Sequence, residues 1–208
     1  GFALFGGAAG AVTVDDGTGA VSATGMQFAT DGYTLGGDTL TLVGSNGIAP
    51  VIRVGDGSST GAGMTATIGN VLAGRDGMTK SDHGQLVLAG SNTYSGGTTI
   101  SGGTLSIANE ANLGDAGDGL TLDGGVLQVI GTAFNSTARA LAMTAQGGGF
   151  DIADASNRFT VAQVLSGSGA LSKAGAGTLV LTGANTYSGG TTITAGTLQG
   201  DSTSLQEI

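Results

Sequence analysis

Cysteine is absent from all 208 residues, which excludes a disulfide framework and the common thiolate zinc and iron–sulfur sites. A chain without cysteine suits the cytosol. It equally suits a protein exported while unfolded, where a disulfide closed early would obstruct passage. Tryptophan is also absent and aromatics amount to 4%, which argues against propeller blades with their aromatic signatures. Six basic residues stand against fifteen acidic ones, for a net charge of −9. Nucleic acid and anionic lipid both require a clustered basic footprint, so neither is an expected partner. No run of ~18 apolar residues occurs, so this segment is not expected to insert in a membrane as a helix. The apolar start, GFALFGGAAGAVTV, lacks the charged n-region of a signal peptide and reads as the interior of a longer chain.

Glycine is what the chain has in excess, with 43 residues. Disordered chains lack the apolar residues that offset ordering entropy, whereas here mean hydropathy is +0.25. Collagen is excluded because glycine follows no strict three-residue period. Alternating runs such as AVTV (11–14), TLTLV (39–43), MTATI (64–68), QLVLA (85–89), VLQVI (126–130) and TLVL (178–181) are separated by glycine and aspartate turns. Such runs predict short strands. FNSTARALAM (134–143) is the ambiguous stretch. Its alanine, leucine and methionine favour helix, but its shortness and flanking glycines favour strand or turn.

The strands belong to a repeat. GQLVLAGSNTYSGGTTISGGTLSI (84–107) returns as GTLVLTGANTYSGGTTITAGTLQG (177–200), with 17 identities in 24 positions at an offset of 93. The match extends upstream through Val71 and Val164, Leu72 and Leu165, Gly74 and Gly167, and Lys80 and Lys173, giving units around 65–107 and 158–200. A weaker copy, Leu40, Leu42, Gly44 and Asn46, stands 46 residues before Leu86, Leu88, Gly90 and Asn92. Both offsets are near multiples of a unit of about 23 residues, in the range of solenoids and arrays. Three short strands per unit suit one coil of a parallel β-helix, so residues 1–208 are expected to form a single all-β solenoid of roughly nine coils. Leu86, Leu88, Ile100, Leu105 and Ile107 are its expected inward ladder.

The segment LVLxGxNTYSGGTTIxxGTL, at Leu86–Leu105 and Leu179–Leu198, resembles the passenger-associated repeat of bacterial autotransporters. The resemblance implies a right-handed parallel β-helix in a large Gram-negative surface protein, secreted through its own C-terminal outer-membrane barrel. It also implies a part in adhesion, aggregation or biofilm formation, and in supporting passenger folding and secretion. Host cell-surface or matrix molecules, or the same protein on neighbouring cells, are the implied partners. The ending DSTSLQEI lacks the alternating strands of a barrel, so neither barrel nor signal peptide is expected within this chain.

Few residues suggest chemistry. Asn92, Tyr94, Gly96 and Gly97, with Asn185, Tyr187, Gly189 and Gly190, form the repeated polar motif. Its tyrosines could offer a sugar-stacking platform, but repetition in corresponding coils favours a structural staple, with asparagine bonded to backbone in the turn. His83 is the only histidine, and a triad role is disfavoured because neighbouring Asp82 would point to the opposite face of a strand. Asp15, Asp16, Asp31, Asp38, Asp56, Asp115, Asp118, Asp123, Asp151 and Asp154 mostly sit in turn contexts where aspartate bonds its own backbone. Asp115 and Asp118 in GDAGDGLTL only loosely approximate a calcium loop. No cofactor, metal or catalytic residue is expected. The favoured reading is a non-enzymatic passenger segment; the alternatives are a β-helix polysaccharide lyase or glycoside hydrolase with paired carboxylates, and a pure spacer for a distant effector.

Overall fold

The computed structural model describes residues 1–205; residues 206–208, the end of DSTSLQEI, lie outside the described residues. Three- to five-residue strands, bounded by glycine-rich turns, stack in parallel along three faces. The first face carries seven strands, from Phe2–Phe5 to Leu141–Met143. The second carries nine, from Ala11–Val14 to Thr191–Ile193, and so counts nine coils of about 22 residues. The third face is interrupted. Its strands Val21–Ala23, Leu40–Leu42 and Leu72–Gly74 form one sheet, and Ser136–Thr137, Arg158–Val161, Thr178–Leu181 and Thr197–Gln199 another. Among the described residues the only helical pieces are 3₁₀ turns at Ser59–Gly63 and Glu110–Leu113. The stretch 134–143 has no helix: Ser136–Thr137 and Leu141–Met143 are strands, because register with neighbouring coils overrides local propensity.

The alternation places one residue in two inside. Ala66, Leu86, Leu105, Leu127 and Phe150 occupy successive coils in register on the second face and are buried. Ile100 and Ile107 join this core, each with no exposed surface. Full burial of such side chains is worth roughly 1.5–3 kcal/mol each. Outward partners such as Gln85 and Val87 remain half-buried.

The offset of 93 does not return to the same face. Met78–Ser81 lies on the first face but its counterpart Leu171–Ala174 lies on the second. Gln85–Leu88 lies on the second and Thr178–Leu181 on the third. The repeat therefore advances by four coils and one face. The offset of 46 behaves likewise, with Leu40–Leu42 on the third face and Gln85–Leu88 on the second. Coil length is the cause. Tyr33 pairs with Ala66 across a long coil that contains the 3₁₀ turn Ser59–Gly63, whereas Leu86 pairs with Leu105 across a short one.

The core assignment is directly testable. Ile100→Ala is predicted to cost about 2–5 kcal/mol in urea denaturation, and Thr99→Ala, one residue away and outward, no more than about 0.5 kcal/mol.

Candidate functional site

The repeated motif lies where strands are missing. Asn92 follows Gln85–Leu88 at the break in the third face, between coils whose backbones are not paired there as strands. Its Oδ1 accepts from Leu72 N at 2.8 Å in the coil before, and its Nδ2 donates to Asn112 O at 2.6 Å in the coil after. One side chain thus makes the two bonds that a strand residue would make through its backbone. Asn185 repeats this on the first face, accepting from Leu165 N at 2.8 Å and donating to Ser204 O at 2.6 Å. Sequence chemistry explains the choice, since asparagine offers both donor and acceptor on one short planar group.

Tyr94 and Tyr187 point inward and are buried, with hydroxyls 2.7 Å from Thr98 and Thr191. A buried ring presents no platform to a sugar. Burial pushes the Tyr94 phenol up to about 12. Gly96 has φ +97, and a Cβ there would lie 2.6 Å from Gly77 N. A Cβ on Gly189 would lie 2.3 Å from the carbonyl carbon of Gly169. Adjacent coils touch backbone to backbone at both places. Gly97 and Gly190 both turn the chain with positive φ.

Two lysines occupy core positions. Lys80 stands in register between Ile52 and Ile100, and Lys173 between Phe150 and Ile193. Neither side chain is exposed. The stem packs inside while Nζ of Lys80 reaches the corner and donates to Ser81 O, Asp82 O and Gly102 O at 2.9, 3.0 and 2.9 Å. Lys173 does the same with Ala174 O, Gly175 O and Ala195 O. Each ammonium uses its three donors on carbonyls that face inward at a turn. Desolvation lowers Lys80 to about 8, against the attraction of Asp82, and lowers Lys173 as well.

Buried Arg139 plays the corresponding part beneath the turn Glu110–Leu113. Its Nε contacts Glu110, Nη1 donates to Asp115 O at 2.6 Å, and Nη2 donates to Gly114 O at 3.0 Å.

Among the described residues the carboxylates do not converge. Asp15, Asp56, Asp115 and Asp154 each accept from a backbone N–H two residues on, at 2.9, 2.9, 2.9 and 2.8 Å. Others bond the neighbouring coil: Asp31 accepts from Thr65 N at 2.6 Å, Asp38 from Asp16 N at 3.1 Å and Asp118 from Gly96 N at 2.8 Å. Asp123 takes the Thr144 hydroxyl, and Asp151 takes Gln128 Nε2 at 2.7 Å. Among the described residues no three or more of His, Cys, Asp and Glu are placed to hold a metal ion. His83 is exposed in a turn, where its backbone N donates to Asp82 Oδ1 at 2.8 Å.

Three features were missed by the sequence reasoning. The buried lysines carried a signal, because Lys80 and Lys173 hold inward positions two residues after Met78 and Leu171 in both copies. Arg139 carried none, since its partners lie a coil away in sequence. The outward chain from Gln85 Nε2 to Gln128 Oε1 and from Gln128 Nε2 to Asp151, each 2.7 Å, also depends on inter-coil register.

A family model described as the passenger-associated-transport-repeat matches residues 78–107 and 171–199. These ranges begin at the two lysine-bearing strands and contain the asparagine–tyrosine turns. The adhesin BmaC autotransporter of Brucella suis biovar 1 (strain 1330) is 49% identical over 198 residues, covering 95% of this chain and 6% of that protein. The chain thus spans a small fraction of the length of the curated relative it matches. No solved structure matches.

Two predictions test the site. Asn92→Ala leaves Leu72 N–H and Asn112 C=O without these bonds, at ~1–3 kcal/mol per buried group, so a loss of about 2–6 kcal/mol is expected in denaturant titration. Because the lysine values fall on folding, the unfolded chain binds more protons between about pH 8 and the ordinary lysine range, and stability rises with pH there. The raised Tyr94 value acts oppositely, withdrawing stability between the ordinary phenol range and about 12. Unfolding midpoints should therefore climb above pH 8 and turn down above ~10; Lys80→Met should flatten the climb, and Tyr94→Phe the decline.

Proposed function

For a chain that belongs to the autotransporter passengers built with passenger-associated transport repeats, we propose that this β-helical segment is a non-enzymatic adhesive stalk on a Gram-negative cell surface. The observation that carries the reading is the engagement of the ionisable groups. The aspartates bond turns and neighbouring coils, and Lys80, Lys173 and Arg139 are spent on carbonyls of the turns. A glycosidase or lyase would need a free carboxylate pair or a basic clamp on one flank. The Brucella relative is named an adhesin, which supports the same reading.

Mechanism follows from geometry. A solenoid with one continuous core holds its flanks as a stiff rod away from the cell. Individually weak polar contacts along the rod sum when many rods engage at once. Partners would be host cell-surface or matrix molecules, or the same protein on a neighbouring cell. Strands pair only with adjacent coils, so a folded end can template the next coil during secretion through the precursor's own barrel.

Beads bearing the chain test this reading on cell monolayers and matrix-coated glass. Retention above bare beads, falling steeply as chain density on the bead is reduced, is expected. Retention equal to bare beads at every density would contradict it, as would release of reducing sugar ends from a surface polysaccharide.

A further inference from the structure

Residues 43–50 carry the chain from Leu40–Leu42 on the third face to Val51–Val54 on the first, and their tip belongs to no sheet. Ser45 and Ile48 exchange two backbone hydrogen bonds, 3.1 Å from Ser45 N to Ile48 O and 2.9 Å from Ile48 N to Ser45 O. Between them Asn46 and Gly47 have φ +53 and +76, the left-handed pair that a two-residue hairpin turn requires. The base of the loop is anchored on both sides. Val43 N donates to Ala23 O at 3.0 Å, Gly44 N to Asp76 Oδ2 at 2.7 Å, and Pro50 O accepts from Thr79 N at 2.9 Å.

Asn46 differs from the other asparagines of the chain. Asn70, Asn92, Asn112, Asn157 and Asn185 are buried, each with its Nδ2 donating to a carbonyl of another coil. Asn109 caps the turn Glu110–Leu113 and accepts from Ala111 N at 3.1 Å. Asn135 is exposed, but Thr160 N holds its carbonyl at 2.8 Å and the side chain of Ser136 follows. Asn46 is exposed and followed by glycine, which no other asparagine here is. Among the described residues neither its side chain nor the Gly47 N–H has a hydrogen-bond partner. The space around Gly47 is open, since a Cβ there would meet nothing within 4 Å.

We infer that Asn46–Gly47 is a self-modification site, where asparagine converts to aspartate and isoaspartate with water as the only co-reactant. Gly47 N gives its proton to solvent and bonds to Asn46 Cγ. The Cγ–Nδ2 bond breaks, and ammonia leaves with a proton taken from water. The product is a five-membered succinimide in which Gly47 N holds both carbonyl carbons of Asn46. Water then adds to one carbonyl and breaks its bond to that nitrogen. Addition at Cγ gives aspartate; addition at the main-chain carbonyl gives isoaspartate, whose backbone runs through Cβ and Cγ. Asparagine is a thermally labile side chain, and a following glycine leaves the attacking nitrogen without a Cβ beside it. Either product puts a new negative charge on the tip beside Ile48, which is 67% exposed. Isoaspartate also lengthens the tip by one carbon and breaks the Ser45–Ile48 bonds, while the anchors at Gly44 and Pro50 keep the faces in register. The chemistry concerns this chain alone and stands apart from the adhesion reading.

Ageing the folded chain in warm, mildly alkaline buffer, then unfolding it and digesting it with trypsin, tests the site. The fragment ending at Arg53 contains Asn46 and no other asparagine, so its mass reads amide-to-acid conversion at one position. That fragment is expected to convert severalfold faster than every other asparagine-bearing fragment. Gly47→Ala slows the conversion severalfold, and the urea midpoint of aged protein matches that of fresh protein. An Asn46 amide that lasts as long as those in the other fragments overturns the inference. So does one that survives in the folded chain while a urea-unfolded sample loses it, conversion as fast in Gly47→Ala, or a midpoint that falls in step with conversion. The wild-type series decides alone if Gly47→Ala does not fold.

Discussion

An inward side chain of this solenoid finds its neighbours mainly in the coils directly before and after it, and everything else in the structure accommodates that. The row Ala66, Leu86, Leu105, Leu127, Phe150 is continuous because each strand keeps its register with the next. A slip of one residue would turn a whole strand's apolar set outward. Variation in coil length is therefore expelled to the corners. The 3₁₀ turn Ser59–Gly63 bulges between two faces without disturbing either, since Val51–Val54 and Thr65–Ile68 still pair in step with their neighbours.

Corners bring a second demand. Some turns aim carbonyls and amides toward the interior, and unpaired groups there are costly. The chain answers with side chains that span coils. Asn92 and Asn185 add side-chain bonds between coils, Lys80 and Lys173 gather three carbonyls each, and Arg139 caps the turn after Leu113. The aspartates that a sequence presents as possible acids bond turn and coil amides on the exposed side of the corners.

Much of this was legible in the sequence and some was not. Alternation and glycine turns give the strands, and the recurrence of NTYSGGTTI gives the solenoid and its inward ladder, because period 2 and coil period are both local. Facial placement of the repeat was not legible. An offset of 93 near a multiple of 23 suggests the same face, but turns of unequal length place Leu171–Ala174 one face away from Met78–Ser81. Lys80 in a core row contradicts the usual rule for lysine, and only its repetition as Lys173 hinted at an inward place. Arg139 and the Gln85–Gln128–Asp151 chain required knowledge of which coils touch.

At the corner after Gln85–Leu88 the motif asparagine adds two side-chain bonds to the backbone bonds that join the coils there. Native-state hydrogen exchange at the Leu72 amide measures this most directly. The account predicts protection of Leu72 N–H comparable to that of neighbouring strand amides, and its selective loss in Asn92→Ala while Leu165 N–H, held by Asn185, keeps its protection. Unchanged protection at Leu72 in a folded Asn92→Ala chain would contradict it.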